Sequence, residues 1–124
     1  MSAFKVLVVD DEPFICRSLT FVLRKEKYDV FEARNGEEAV ELIRREHPDL
    51  VFLDVMMPKM NGFDVTKEVR ADSSLNGTKI ILLTAKGQDS DRETGTAAGA
   101  DDYMTKPFSP TKLLERARRI LGVG

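Results

Sequence analysis

The chain has 124 residues, 42% of them hydrophobic, with a formal net charge of −2 and a single cysteine. That length is enough to bury a core without covalent staples and is expected to make one domain, residues 1–124, with no room for a second. One cysteine excludes an internal disulfide, and the slightly acidic balance argues against direct nucleic-acid binding. With no leader-like segment and no apolar run of membrane length in it, the sequence points to a soluble, cytoplasmic protein without membrane insertion.

Five times, a short apolar run is followed by an amphipathic stretch. Residues 4–9 read as a first strand, and Asp10-Asp11-Glu12-Pro13 as a helix start, with acids at the amino end and proline early. Ile15, Leu19, Val22 and Leu23 recur at helical spacing and form a stripe for the core. Cys16 beside them reads as a small, half-buried apolar residue. Residues 28–33 make a second strand, and Asn35-Gly36-Glu37-Glu38 opens a helix with Ala39, Leu42 and Ile43 inward, stopped at His47-Pro48.

Leu50-Val51-Phe52-Leu53-Asp54 is an apolar run without polar alternation, the pattern of a central parallel strand covered on both faces, and it ends on a carboxylate. Pro58 and the Asn61-Gly62 pair turn the chain into a third helix, residues 63–71, carrying Phe63, Val65 and Val69. Met56, Met57 and Met60 read as adaptable surface beside that loop. Residues 79–84 are a fourth buried strand ending on the hydroxyl of Thr84. Residues 89–98 should be the weakest helix, because Gly95 costs about 1 kcal/mol relative to alanine. Residues 100–105 make a short fifth strand and Lys106-Pro107 a break. Ser109-Pro110 then caps a last helix that packs Leu113, Ala117, Ile120 and Leu121. Lys112, Arg116, Arg118 and Arg119 on that helix read as a solvated face that complements its dipole.

Strand-then-helix units with short links imply an α/β fold: a doubly wound, five-stranded parallel sheet of flavodoxin-like (βα)5 type, strand order 2-1-3-4-5. The first and third strands are then neighbours, and their carboxyl ends bring Asp10 and Asp11 beside Asp54. Three carboxylates in one crevice repel one another unless a cation binds or protons are taken up. Mg²⁺ suits so small an all-oxygen site. A carboxylate there is a competent nucleophile for an acyl phosphate, with the metal offsetting charge on the transferring group. Thr84 and Lys106, at the ends of later strands, reach the same crevice as a neutral donor and a fixed positive charge.

The residues Val8-Val9-Asp10-Asp11-Glu12-Pro13, Leu53-Asp54-Val55-Met56-Met57-Pro58 with Asn61-Gly62, Leu83-Thr84-Ala85, and Lys106-Pro107-Phe108 resemble the receiver domains of two-component response regulators, of the chemotaxis-regulator type. The resemblance covers essentially the whole chain. It implies that Asp10 and Asp11 bind Mg²⁺, that Asp54 is the phosphoacceptor and a metal ligand, and that the backbone carbonyl of Met56 is a further ligand. It implies that Thr84 and Lys106 contact the phosphoryl group, that Tyr103 is the aromatic switch residue and that the Lys106-Pro107 peptide is cis. The family more often has Asp where Asn61 stands; the position serves the turn, which Asn makes equally well.

By the same resemblance the donor is a sensor histidine kinase or phosphotransfer protein. The output is a downstream effector protein engaged by the face of the fourth helix, fifth strand and fifth helix. The expected mechanism has Thr84 move toward the phosphoryl group and Tyr103 rotate into the space it leaves. Such a protein is not an enzyme in the usual sense; it assists its own phosphorylation and the hydrolysis of its aspartyl phosphate. Met56 and Lys86 stand where the family's hydrolytic water passes, and neither is a good general base, so a long-lived phosphoryl group is expected. A flavodoxin-type carrier would want Gly, Ser and Thr donors after the first strand, where this chain has acids. A phosphohydrolase would want an acid at Met56. The remaining alternative is a phosphate-independent protein-docking module, a pseudo-receiver.

Overall fold

The computed structural model describes residues 3–85 and 90–123. Its strands are β1 (Lys5–Val9), β2 (Asp29–Ala33), β3 (Leu50–Asp54), β4 (Lys79–Ala85) and β5 (Asp102–Lys106). They alternate with helices α1 (Pro13–Lys25), α2 (Gly36–Glu46), α3 (Gly62–Arg70), α4 (Ser90–Ala98) and α5 (Pro110–Leu121), with a short 3-10 turn, Ser73–Leu75, before β4. All five strands are parallel, in the order β2-β1-β3-β4-β5. This is the flavodoxin-like doubly wound sheet expected from the sequence.

The period-two alternation of side chains across a strand divides the core in two. Leu7, Val9, Val51, Leu53, Ile80 and Leu82 face one side, where α2 and α3 bring Ala39, Val40, Ile43, Val65 and Val69. Val6, Val8, Leu50, Phe52, Ile81 and Leu83 face the other, where α1 and α5 bring Cys16, Leu19, Leu23, Leu113 and Ala117. Every residue of β3 is buried, which explains why its sequence lacks polar alternation.

Helix starts follow the capping chemistry. The Asn35 side chain accepts from the Glu38 N–H, the Ser109 hydroxyl accepts from the Lys112 N–H, and Asn61 and Asp64 form a reciprocal capping box at α3.

Several side chains sit elsewhere than their periodicity indicates. The inward face of α1 is Cys16, Leu19, Thr20 and Leu23, with Ile15 and Val22 only half-buried at its edge. Cys16 is fully buried: its Sγ donates to the Asp10 carbonyl at 3.3 Å, and burial pushes the thiol up to about 11. In α2, Val40 is buried in addition, while Leu42 is half-buried and packs against the core. Met57 is buried and Met60 packs against the core, so of the three loop methionines only Met56 is surface. On α5, Lys112, Arg118 and Arg119 are exposed, the last two in the final turn; Arg116 and Arg119 also pair with Asp102 and Arg118 with Glu26.

β5 starts two residues later than its composition indicates, because Asp101 is held in the preceding loop. Its carboxylate accepts from the Ile80 N–H and from Arg70, each at 2.8 Å. Arg70 also donates to the Gly99, Leu75 and Thr78 carbonyls, fastening α3, the 3-10 turn and the α4–β5 loop to one another.

Candidate functional site

β1 and β3 lie side by side, Val9 opposite Leu53, so the residues that leave their carboxyl ends meet. Carboxylate oxygens of Asp10, Asp11 and Asp54 lie within 4.8 Å of one another. Asp10 is fully buried, Asp54 is 6% exposed and Asp11 is exposed, so the cluster opens to solvent on one side. Asp10 is also fixed from below: its Oδ1 accepts from the Glu12 N–H at 3.0 Å and its own N–H donates to the Ala33 carbonyl.

Lys106, the last residue of β5, reaches across β4 into the cluster. Its Nζ donates to Asp10 Oδ2 at 2.9 Å and to Asp54 Oδ1 at 3.3 Å. The Lys106-Pro107 peptide is cis. Among the described residues, three carboxylates thus gather with one ammonium, an imbalance that a divalent cation would relieve. The electrostatics of the carboxylates show the same strain. Burial first, and the charge of Asp10 second, push the Asp54 carboxyl up to about 6, against the pull of Lys106. For Lys106, burial disfavours the charge, but the bonds and charges of Asp10 and Asp54 outweigh it and hold the ammonium above its ordinary range.

The loop after Asp54 is drawn tightly over the strand end. The Gly62 and Met57 N–H groups both donate to the Val55 carbonyl, and a Cβ at Gly62 would stand 2.6 Å from the Asp54 carbonyl oxygen. Glycine is required there by space, so the Asn61-Gly62 pair serves both the turn and the close approach. Met56 stands in this loop with its side chain 70% exposed. Lys86 lies outside the described residues, as does Asp89 of the expected helix start.

Thr84 lies near the carboxyl end of β4, one position past Leu83, which is the register partner of Asp54. It is 1% exposed, and its hydroxyl has no hydrogen-bond partner among the described residues. A buried hydroxyl left unpaired costs of the order of 1–3 kcal/mol. Tyr103 sits on β5 opposite Leu82, half-buried, with the Arg92 guanidinium carbon 4.6 Å from its ring centroid. The sequence carries no signal for that contact, because the cation and the ring lie on different elements with no fixed spacing. Arg70 is invisible for the same reason: its acceptors are mostly backbone carbonyls.

Residues 6–118 match the family model described as the response regulator receiver domain. The chain is 50% identical over 121 residues to the "Probable transcriptional regulator ycf27" of Porphyridium aerugineum, covering 98% of this chain and 49% of that protein. It is 46% identical over 117 residues to the alkaline phosphatase synthesis transcriptional regulatory protein PhoP of Bacillus subtilis, covering 94% of this chain and 48% of that one. The chain therefore spans about half the length of the curated relatives it matches. Among solved structures, the chemotaxis response regulator CheY4 of Vibrio cholerae superposes with a TM-score of 0.90 at 34% identity, covering 96% of this chain and 99% of that one. Sheet order, an acid cluster at the switch point and a family match over nearly the whole length converge, and the chain belongs to the receiver domains of two-component response regulators.

Proposed function

We propose that residues 1–124 form one receiver domain that accepts a phosphoryl group on Asp54 from the phosphohistidine of a sensor histidine kinase or phosphotransfer protein, with Mg²⁺ as cofactor. The observation that carries this is the convergence of Asp10, Asp11 and Asp54 within 4.8 Å, with the Lys106 ammonium bridging two of them. Asp10, Asp11, Asp54 and the Met56 carbonyl would hold the metal. When bound, Mg²⁺ supplies positive charge to the phosphoryl oxygens.

An Asp54 carboxylate oxygen attacks phosphorus while the phosphorus–nitrogen bond of the phosphohistidine breaks. The electron pair leaves with the imidazole, and an acyl phosphate remains on Asp54. Lys106, already bonded to Asp54, orients the carboxylate and offsets charge on the transferred group. The Thr84 hydroxyl, buried and without a partner among the described residues, donates to a phosphoryl oxygen. Its movement lets Tyr103 rotate and alters the face of α4, β5 and α5, through which an effector protein reads the state. Hydrolysis by water returns Asp54 to its carboxylate. The domain is thus a signalling switch rather than a classical enzyme, and we place it in the cytoplasm. The transcriptional roles in the names of its relatives support an output in gene expression through an effector, not through nucleic acid bound by this domain, whose net charge is −2.

The test is intact mass after incubation with acetyl phosphate and Mg²⁺. The native chain should gain one phosphoryl group, and neither Asp54→Asn nor a sample with excess chelator should. A phosphate-independent docking module predicts no gain in any of the three.

A further inference from the structure

We infer that Arg92 is a positioning residue for Tyr103: its guanidinium lies over the phenol ring and sets how readily that ring leaves its present orientation. This rests on the reading of Tyr103 as the switch residue given above. The Tyr103 ring is half-buried and forms one wall of an open cavity of about 240 Å³ between α4 and β5, whose other walls include Leu82, Gly95 and Ala100. Gly95 lets α4 pack closely on the sheet at one edge of this cavity: a Cβ there would stand 2.5 Å from Leu82 Cδ1. Packing therefore leaves part of the ring uncovered, and Arg92 of α4 covers it.

Among the described residues no carboxylate pairs with that cation. Asp101 is engaged by Arg70, and Asp102 by Arg116 and Arg119. Arg92 is thus left to the ring, whose electron-rich face attracts a guanidinium. A cation over an aromatic ring at an exposed site biases an equilibrium by about two- to fivefold. The bond runs between α4 and β5, so rotation of the ring breaks a tie between two elements of the output face. Arg92 acts through Tyr103 and touches no reacting atom.

The chain has two tyrosines and no tryptophan, so Tyr28→Phe leaves Tyr103 as the sole tyrosine reporter. In that background, 3-fluorotyrosine labelling and ¹⁹F spectra read the populations of ring orientations, with and without acetyl phosphate and Mg²⁺. Intact mass is recorded on each sample. Arg92→Ala should shift the resting population about two- to fivefold toward the orientation that acetyl phosphate induces, and Arg92→Lys, which keeps a cation, should shift it less. A resting population unchanged in Arg92→Ala, or equal shifts in Arg92→Ala and Arg92→Lys, would overturn the inference. Failure of the phosphoacceptor reading appears separately, as no mass gain in the parent, while the phosphodonor-free spectra still decide the role of Arg92.

Discussion

The carboxylate of Asp54 is held ionised near neutral pH at a cost, and that cost can be measured. Its folded pKa, about 6, stands above the ordinary 3.8. The folded state therefore binds the proton more tightly than the unfolded chain. The contribution to stability is fully present below about 3.8 and is lost as pH rises through about 6. The difference amounts to about 3 kcal/mol at pH 7 as an upper figure. Asp54→Asn should accordingly be more stable than the native chain in chelator at pH 7, by up to that amount, with the advantage shrinking as pH falls toward 4. Urea midpoints across that range measure it, and added Mg²⁺ should narrow the gap by stabilising only the native chain. A second expectation concerns Met56, exposed in the loop two residues past Asp54. Met56→Asn puts a hydrogen-bonding group where the family's hydrolytic water passes, so the phosphoryl group should decay faster than in the native chain, as followed by loss of phosphorylated mass after donor removal. Equal decay rates would remove Met56 from the hydrolytic path. The positions of the acids, the threonine and the lysine were legible in the sequence because each lies at or next to the carboxyl end of a strand, and those ends of one parallel sheet share one rim. The unpaired state of the Thr84 hydroxyl and the cation over Tyr103 were not, because they depend on which neighbours tertiary packing leaves free.

At the scale of elements, hydrophobic periodicity found the five strands and five helices and the inward faces of α1 and α2, but left Cys16, Thr20 and Val40 out of those faces. A helix stripe read from large apolar residues overlooks Cys16 and Thr20, small side chains that fit under a close helix–sheet contact where Ile15 and Val22 stay half-buried at the margin. β5 was placed early because Ala100 looks like strand, whereas Asp101 is diverted to Arg70 and the Ile80 N–H. The junction of β3 with α3 shows how one residue couples two elements. Gly62 opens α3, and its missing side chain lets the loop pass over the Asp54 carbonyl. Gly62→Ala would set a Cβ 2.6 Å from that backbone oxygen, a clash no rotamer relieves. The expected loss is about 2–3 kcal/mol, read as a lower urea midpoint, together with weaker Mg²⁺ binding as the strand end is displaced. Asn61→Ala, which removes only the capping box, should cost about 1 kcal/mol and leave metal binding nearly intact. Equal effects from the two variants would mean that helix capping, not the close approach, is what glycine protects.

For the molecule as a two-state switch, only interactions that differ between the states count. Moving an equilibrium from about 1:99 to 99:1 takes roughly 5.5 kcal/mol of differential stabilisation. Lys106 already bonds Asp10 and Asp54, so in the proposed mechanism its bond to a phosphoryl oxygen is largely an exchange of partners. Thr84 is different. Its hydroxyl is buried with no hydrogen-bond partner among the described residues, so in the proposed mechanism a bond to the charged phosphoryl group is a newly made one, about 1.5–3 kcal/mol. That is roughly a ten- to 150-fold shift, short of complete conversion. Phosphorylation alone should therefore leave a mixed population, and an effector that binds the active face would complete the shift by mass action. The prediction is that Thr84→Ala still gains phosphoryl mass from acetyl phosphate and Mg²⁺, but that most of the phosphorylation-dependent change in amide hydrogen exchange over α4, β5 and α5 disappears. The hydroxyl's removal also abolishes the cost of burying it unpaired, so the unphosphorylated variant should be no less stable than the native chain. If the variant showed the full exchange response at equal phosphorylation, coupling would have to run through Lys106 and the β4–α4 connection instead.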